Sequence, residues 1–407
     1  MSSSRNLYRG TAIIVLNTLI LFALLNAIAA IVLWRQDARS RGTGPRKYEQ
    51  AWLIDGYGLD TLARNYPGMS RQDLVAFLYE TSNWFQTYEP FTMFKPSERH
   101  DRFITISGDG FRPIPGQARW PPDPNAFNLF LFGGSTMMGA GVPDDQTIAA
   151  HLQRSIGNCR RPVHLYNFGR GFYFSTQERI LFEQLLSAGY KPDAAVFLDG
   201  LNDFYFADGV PQFTPEFAAF MRQQNGEDVA PSTRAAFLPL IRSLPALRLA
   251  LRFGLLSPPQ AAPPPAQPAE AEGENESDAV RVQRAIDRWR MNRTIIRAVA
   301  AASDVRVQFV WQPVPTYGYD VRSLSVYKPG LDLFGAHRMS GLGYPVVAAM
   351  YRRGTLGDDV LWLGEIQTNR RESLYVDAVH YTSAFSNEIA RHIAQFARAQ
   401  DLLPCQE

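Results

Sequence analysis

Residues 128–141 read NLFLFGGSTMMGAG, an apolar run that stops at two glycines and a serine. Asn128 to Phe132 has the length and the glycine boundary of a buried parallel strand rather than a helix. Ser135 therefore sits at a strand's carboxyl end, which in open α/β sheets is where ligands bind and catalytic side chains project. Gly133 and Gly134 permit a sharp turn and let a substrate approach the backbone. Ser135 is then a candidate nucleophile with its own N–H free. A Gly-Gly-Ser turn is first of all a turn, so its meaning depends on what lies downstream.

From Phe127 the chain alternates strand and helix signals. Thr147 to Ile156 suits a helix, Val163 to Asn167 a strand, Thr176 to Ala188 a helix and Ala194 to Asp199 a strand. This is the rhythm of a parallel sheet with right-handed crossovers. Phe204 to Phe253 interrupts it with a mixed aromatic and helical segment. Ser257 to Ser277, SPPQAAPPPAQPAEAEGENES, is proline-rich and then acidic, the composition of a disordered excursion. The pattern resumes with a helix from Ala279 to Ala302, a strand from Val305 to Trp311, a long loop, and a last helix from Ser383 to Leu402.

Amino-terminal to the decisive stretch, Thr11 to Trp34 carries no charged residue and is long enough to cross a bilayer as one helix. A cleaved signal peptide would have a shorter apolar core and a small-residue cleavage site, so a retained anchor is expected. Arg5 and Arg9 precede the segment, whereas Arg35, Arg39, Arg41, Arg46 and Lys47 follow it. A literal positive-inside count places the large domain in the cytoplasm. The common use of a single amino-terminal anchor to export a soluble domain argues the other way, and the catalytic domain is expected outside the cytoplasm. Residues 46–122 combine helix-like spacing around Pro67 with extended segments between Thr87 and Pro113, and form an extension expected to pack on the main domain. The expected organisation is a tail (1–10), an anchor (11–34), this extension (35–122) and a main domain (123–403). The main domain carries an insertion at about 204–279.

The chain has 407 residues, 46% of them hydrophobic and 20% charged, enough to bury a sizeable core. A net charge of +2 implies no nucleic-acid partner. The two cysteines, Cys159 and Cys405, are too few for a cysteine-rich zinc site or an iron–sulfur cluster, and no metal or cofactor is expected. They could pair in an oxidising compartment or stay as two buried thiols. Oligomeric state is not legible.

Three further stretches fall at or near predicted strand ends: Asn167-Phe168-Gly169-Arg170-Gly171-Phe172, Asp199-Gly200-Leu201-Asn202-Asp203, and Asp377-Ala378-Val379-His380. A serine nucleophile needs a base, and the base needs an orienting group on its other ring nitrogen. Of the six histidines only His380 has a carboxylate three residues upstream, so Asp377 and His380 can share one turn. An acyl-transfer site also needs donors aimed at the developing oxyanion. The Ser135 N–H, an N–H of the Gly169–Phe172 turn and the Asn202 amide could supply them, although Asn202 also suits a turn.

GGST at 133–136, the glycine turn at 169–171, GLND at 200–203 and DAVH at 377–380 follow the order and spacing of the four sequence blocks of the SGNH/GDSL hydrolases. The chain resembles that family from about Phe127 to Leu402, the insertion excepted. The resemblance implies a three-layer, flavodoxin-like α/β fold with a parallel sheet. It implies Ser135 as nucleophile, His380 as general base and Asp377 as orienting acid, with the Ser135 and Gly171 amides and Asn202 as the oxyanion hole. Two departures stand out: the aspartate expected before the serine is Gly134, and many relatives place the donor glycine at the position of Phe172. The family includes esterases, lipases and membrane-anchored O-acyltransferases, so an acyl-ester substrate is expected, with an acylated glycan as one candidate. Phe172, Tyr173, Phe204 and Trp311 are candidates to wall a substrate groove, or else ordinary aromatic packing. A solvated Arg170, or one attracting an anionic substrate, is a further expectation. The alternative class is a non-catalytic scaffold or glycan-binding component of a membrane-associated polysaccharide machine. A nucleotide site is disfavoured, since Gly134 to Gly141 lacks a phosphate-loop lysine.

Overall fold

The computed structural model describes residues 2–39, 51–156, 159–224, 244–252 and 276–405. The run expected to be disordered, 257–277, lies up to residue 275 outside the described residues, as do Arg41, Arg46 and Lys47. The chain divides into two compact units, Met1–Lys47 with Pro215–Gly273 and Tyr48–Thr214 with Glu274–Glu407.

The first unit contains one long helix, Ser2–Arg39, in which Ala12–Leu33 is long and apolar enough to cross a membrane. A signal sequence passes the same test of length and composition. Its polar side chains turn back on the helix: Thr18 Oγ1 donates to Ile14 O at 2.8 Å and Asn26 Nδ2 to Phe22 O at 3.0 Å. Such bonds satisfy polar groups where no water is available. Asn26 Oδ1 accepts from the backbone of Ala246, in the short helix Pro245–Arg252.

The second unit is built on five parallel strands: β1 (Phe127–Gly133), β2 (Val163–Asn167), β3 (Ala194–Asp199), β4 (Arg306–Trp311) and β5 (Val360–Trp362). Their order across the sheet is β2-β1-β3-β4-β5. This is the flavodoxin-like order, in which the direction of winding reverses between β1 and β3. Every residue of β1 and β3 is buried, as central strands covered on both faces require. The pleat sorts β1 into two cores. Leu129 and Leu131 face the helices Ile148–Ile156 and Ser383–Ala399. Phe130 and Phe132 face Ser175–Ser187, Asp278–Ala302 and Arg338–Arg352. Phe132 stacks between Phe168 and Phe197, with ring centroids 5.8 and 4.8 Å away.

Residues 51–122 are part of this core. Leu62, Phe77 and Leu78 join the cluster containing Leu129 and Leu131. The helices Leu59–Ala63 and Arg71–Ser82 break around Pro67, and Ser70 caps the second by accepting from Asp73 N–H at 3.1 Å. The extended segments are two hairpins, Gln86–Glu89 with Met93–Pro96 and Arg99–His100 with Thr105–Ile106.

The long loop expected between Trp311 and Ser383 contains a helix, Arg338–Arg352, and the edge strand β5. Gly341, Gly343 and Pro345 punctuate that helix in sequence. Gly343 is nonetheless required there, since a Cβ would lie 2.2 Å from the Phe204 ring. Cys159 and Cys405 form a disulfide across a sequence separation of 246.

Candidate active site

The loops after β1, β2 and β3 meet at the switch point. β1 ends in Gly133, and a single turn of helix, Ser135–Met138, begins with Ser135. A first-turn N–H has no intrahelical acceptor, so the Ser135 amide is available. Ser135 Oγ lies 2.9 Å from His380 Nε2, and His380 Nδ1 lies 2.7 Å from Asp377 Oδ2. The carboxylate is further held by the Val379 and His380 N–H groups, both on Asp377 Oδ1 at 2.9 and 2.8 Å. Burial alone would raise the Asp377 carboxyl. The facing His380 and these hydrogen bonds outweigh it and hold the carboxyl below the ordinary carboxylate range. The loop closes on itself through Val376 N–H to His380 O at 2.8 Å and a bridge between Tyr375 and Tyr381.

The two glycine-dependent contacts are steric. A Cβ on Gly134 would lie 2.3 Å from Asn202 Nδ2 and 3.0 Å from Tyr173 O, so any side chain here would collide with the Asn202 amide. A Cβ on Gly169 would meet the Met138 amide at 2.4 Å. Asn202 Nδ2 donates one N–H to Tyr173 O at 2.7 Å, and its second N–H has no acceptor among the described residues. In the second block Gly169 N–H donates to Asn167 Oδ1 and Arg170 N–H to Gly133 O. The amides of Gly171 and Phe172 make no hydrogen bond among the described residues. Phe172 takes a left-handed backbone (φ 66°), a conformation that favours glycine.

For three of the aromatic candidates the packing reading holds, and the expectation for Arg170 is corrected. Tyr173, Phe204 and Trp311 are fully buried and wall no groove: Tyr173 bonds Phe94 O, and Phe204 and Trp311 pack on Tyr344. Arg170 is neither solvated nor open to substrate, but buried and paired with Glu89. Phe172 alone of the aromatic candidates is exposed, at 38%.

Other residues serve the site without having been legible as such. Gln312 Oε1 accepts from Thr136 Oγ1 at 2.7 Å and from Tyr381 OH at 2.8 Å, joining the serine turn to the histidine loop. Its place at the end of β4 was the available signal. His337 lies against the Tyr205 ring (centroids 4.5 Å apart), and burial and the neighbouring His380 depress its pKa to about 4. Behind Asn202, Asp203 accepts from Ser175 Oγ and Gly200 N–H, and Asp199 accepts from Trp289 Nε1 at 2.9 Å. Burial and neighbouring carboxylates push Glu178 well above the usual range and Asp199 up to about 8. Among the described residues no group of three or more His, Cys, Asp or Glu is arranged to hold a metal.

The strand order, the serine after β1, the glycine loop after β2 and Asn202 after β3 together decide the architecture. The chain has a three-layer, flavodoxin-like α/β fold with a five-stranded parallel sheet. No family model matches the sequence, and comparison with curated proteins finds no match. Among solved structures, this chain is similar to the lipase/acylhydrolase from Enterococcus faecalis (12% identity, TM-score 0.34), covering 69% of this chain and 99% of that one. It is similar to the inhibitor-bound aryl esterase of M. smegmatis (11%, TM-score 0.34), covering 67% and 99%. A third is a protein of Desulfitobacterium hafniense described as lipolytic and of the G-D-S-L family (9%, TM-score 0.35), covering 66% and 99%. Likeness at this level carries no activity over to this chain.

Proposed function

We propose that this chain is a serine-dependent acyl-ester hydrolase or O-acyltransferase. The observation that carries the reading is the unbroken chain from Ser135 Oγ through His380 to Asp377, at 2.9 and 2.7 Å. In this reading His380 Nε2 takes the Ser135 proton as Oγ attacks the ester carbonyl carbon. The oxyanion is met by the Ser135 N–H, the free Asn202 N–H and the Gly171 amide, with Phe172 N–H beside it. As the C–O bond to the alcohol breaks, His380 returns the proton to the leaving oxygen. A second hydroxyl, from water or from an acceptor, then attacks the acyl-serine with His380 again as base. Asp377, kept ionised, fixes the imidazole with Nδ1–H toward the carboxylate.

The proposed substrate is an acyl ester, with an acylated glycan favoured by the exposed Phe172 beside the oxyanion loop. Ala12–Leu33 serves in this reading as a membrane anchor. A periplasmic or extracytoplasmic location is supported by the Cys159–Cys405 disulfide, a bond that persists in oxidising compartments.

The test uses the full chain in detergent with p-nitrophenyl acetate and a fluorophosphonate probe. The expected result is turnover and covalent labelling of wild type and neither for Ser135→Ala at unchanged melting temperature. Wild-type protein that is folded but unlabelled and inactive would favour a non-catalytic scaffold instead.

A further inference from the structure

The hairpin Gln86–Glu89/Met93–Pro96 lies beside the loop that carries Gly171: Gln86 Nε2 is 4.0 Å from where a Gly171 Cβ would stand. Arg170, directly before Gly171, is 1% exposed. Its guanidinium pairs with Glu89 through Nη1 and, at 3.4 Å, Nη2, and Nη1 also donates to Tyr173 OH at 2.8 Å. Tyr173 OH donates in turn to Phe94 O, on the second hairpin strand. Glu89 is itself fixed by Thr92 Oγ1 at 2.6 Å, and the hairpin turn is held by Gln177 Nε2 on Thr92 O at 2.8 Å.

These bonds grip the loop on both sides of its unused amides. Arg170 N–H is tied to Gly133 O at 2.9 Å, just before the serine turn. Tyr173 O takes the Asn202 N–H that sets the rotation of that amide. Gly171 and Phe172 lie between the two anchors, and Phe172 is kept in a left-handed conformation that a β-carbon disfavours. A buried guanidinium that loses its carboxylate becomes an uncompensated charge, and the loop must move to relieve it.

We infer that Glu89 of the amino-terminal hairpin is a positioning residue for the oxyanion hole, acting through Arg170 and Tyr173 on the Gly171 amide and on Asn202. This rests on the reading of Ser135 as the nucleophile of acyl transfer. It gives residues 86–96, whose role is illegible in sequence, a place in the reaction: a frame that neither touches substrate nor transfers a proton.

The experiment compares wild type, Glu89→Gln, Asn202→Ala and the double variant in the full chain, with p-nitrophenyl acetate kinetics and fluorophosphonate labelling rates. Glutamine keeps the shape and an acceptor oxygen while removing the charge. The expected result is a kcat lower by about tenfold to a hundredfold for Glu89→Gln, with KM within about twofold. In the Asn202→Ala background the same change should cost less than in wild type, because one of the two donors it positions is already gone. A folded Glu89→Gln protein with wild-type kcat, or full additivity with Asn202→Ala, would overturn the inference. If Glu89→Gln does not fold, Tyr173→Phe is read by the same criteria. Loss of activity in Ser135→Ala together with a silent Glu89→Gln sinks only this inference, whereas an active Ser135→Ala sinks the functional reading itself.

Discussion

Arg112 Nη1 donates to Gly139 O at 2.7 Å, so a residue of the amino-terminal extension caps the end of the turn that begins with Ser135. The same buried guanidinium donates to Met138 O at 3.1 Å, Val142 O at 2.8 Å and Asp144 Oδ1 at 2.9 Å. Its backbone N–H donates to Asn167 O at 2.9 Å, where the second loop begins. A cation at a helix carboxyl end matches the carbonyl dipoles. Arg112→Met should leave these carbonyls and Asp144 without their partner and cost about 3 kcal/mol or more. Urea unfolding midpoints measure the loss, and fluorophosphonate labelling below the transition should slow with it.

Asp377→Asn should keep the fold and lower kcat by about 10³–10⁴-fold, because an amide stabilises the wrong imidazole tautomer and cannot balance the imidazolium. Steady-state kinetics at pH 7–8 check this. The depressed pKa of Asp377 also has a stability consequence. A carboxyl whose folded pKa lies below its unfolded value stabilises above the unfolded value, about 3.9, and loses that contribution as pH falls through the folded one. Urea midpoints between pH 5 and 2 should show this part of the acid limb in wild type and not in Asp377→Asn.

The buried pair Glu178 and Asp199 has the opposite sign. Their pKa values are raised, so they favour the fold while protonated and cost stability as pH rises from about 4 through the value of about 8 for Asp199. Glu178→Gln removes one charge without changing volume and should flatten this decline. Melting temperatures at pH 5, 7 and 9 test it: the gain of the variant over wild type should grow with pH, and a gain that shrinks would refute the assignment.

The Cys159–Cys405 bond ties the chain's last described residue to the segment after Ile148–Ile156. Closing a loop of this length restricts the unfolded chain, and its removal by Cys405→Ser should cost about 3–5 kcal/mol. Non-reducing peptide mapping should recover the linked pair, and quantitative thiol labelling of the native protein would contradict it.

Much of this was readable in the chain because it is local. A run such as 128–132 declares a buried strand by its period and its glycine stop, and the structure extends it by one residue at each end. Asp377 and His380 sit three residues apart, so one turn brings them together whatever surrounds them. The helix Arg338–Arg352 and the strand β5 were hidden for the converse reason. Glycine and proline signal a loop locally, but packing of Gly343 against Phe204 makes a helix the better solution, and a three-residue edge strand carries almost no period.

The sequence by itself determined the strand-and-loop rhythm, the apolar amino-terminal helix and the residue types that a serine site requires, since these follow from backbone preferences and side-chain chemistry within a few positions. Only the tertiary structure decided which groups are dry and which are free. It turned Arg170 from a solvent-facing cation into the buried partner of Glu89, 81 positions earlier, and took Tyr173, Phe204 and Trp311 out of any groove. It also committed one N–H of Asn202 to Tyr173 O while giving the other no acceptor among the described residues. Desolvation and hydrogen-bond satisfaction depend on what packs against a group from elsewhere in the chain, and no local pattern encodes that.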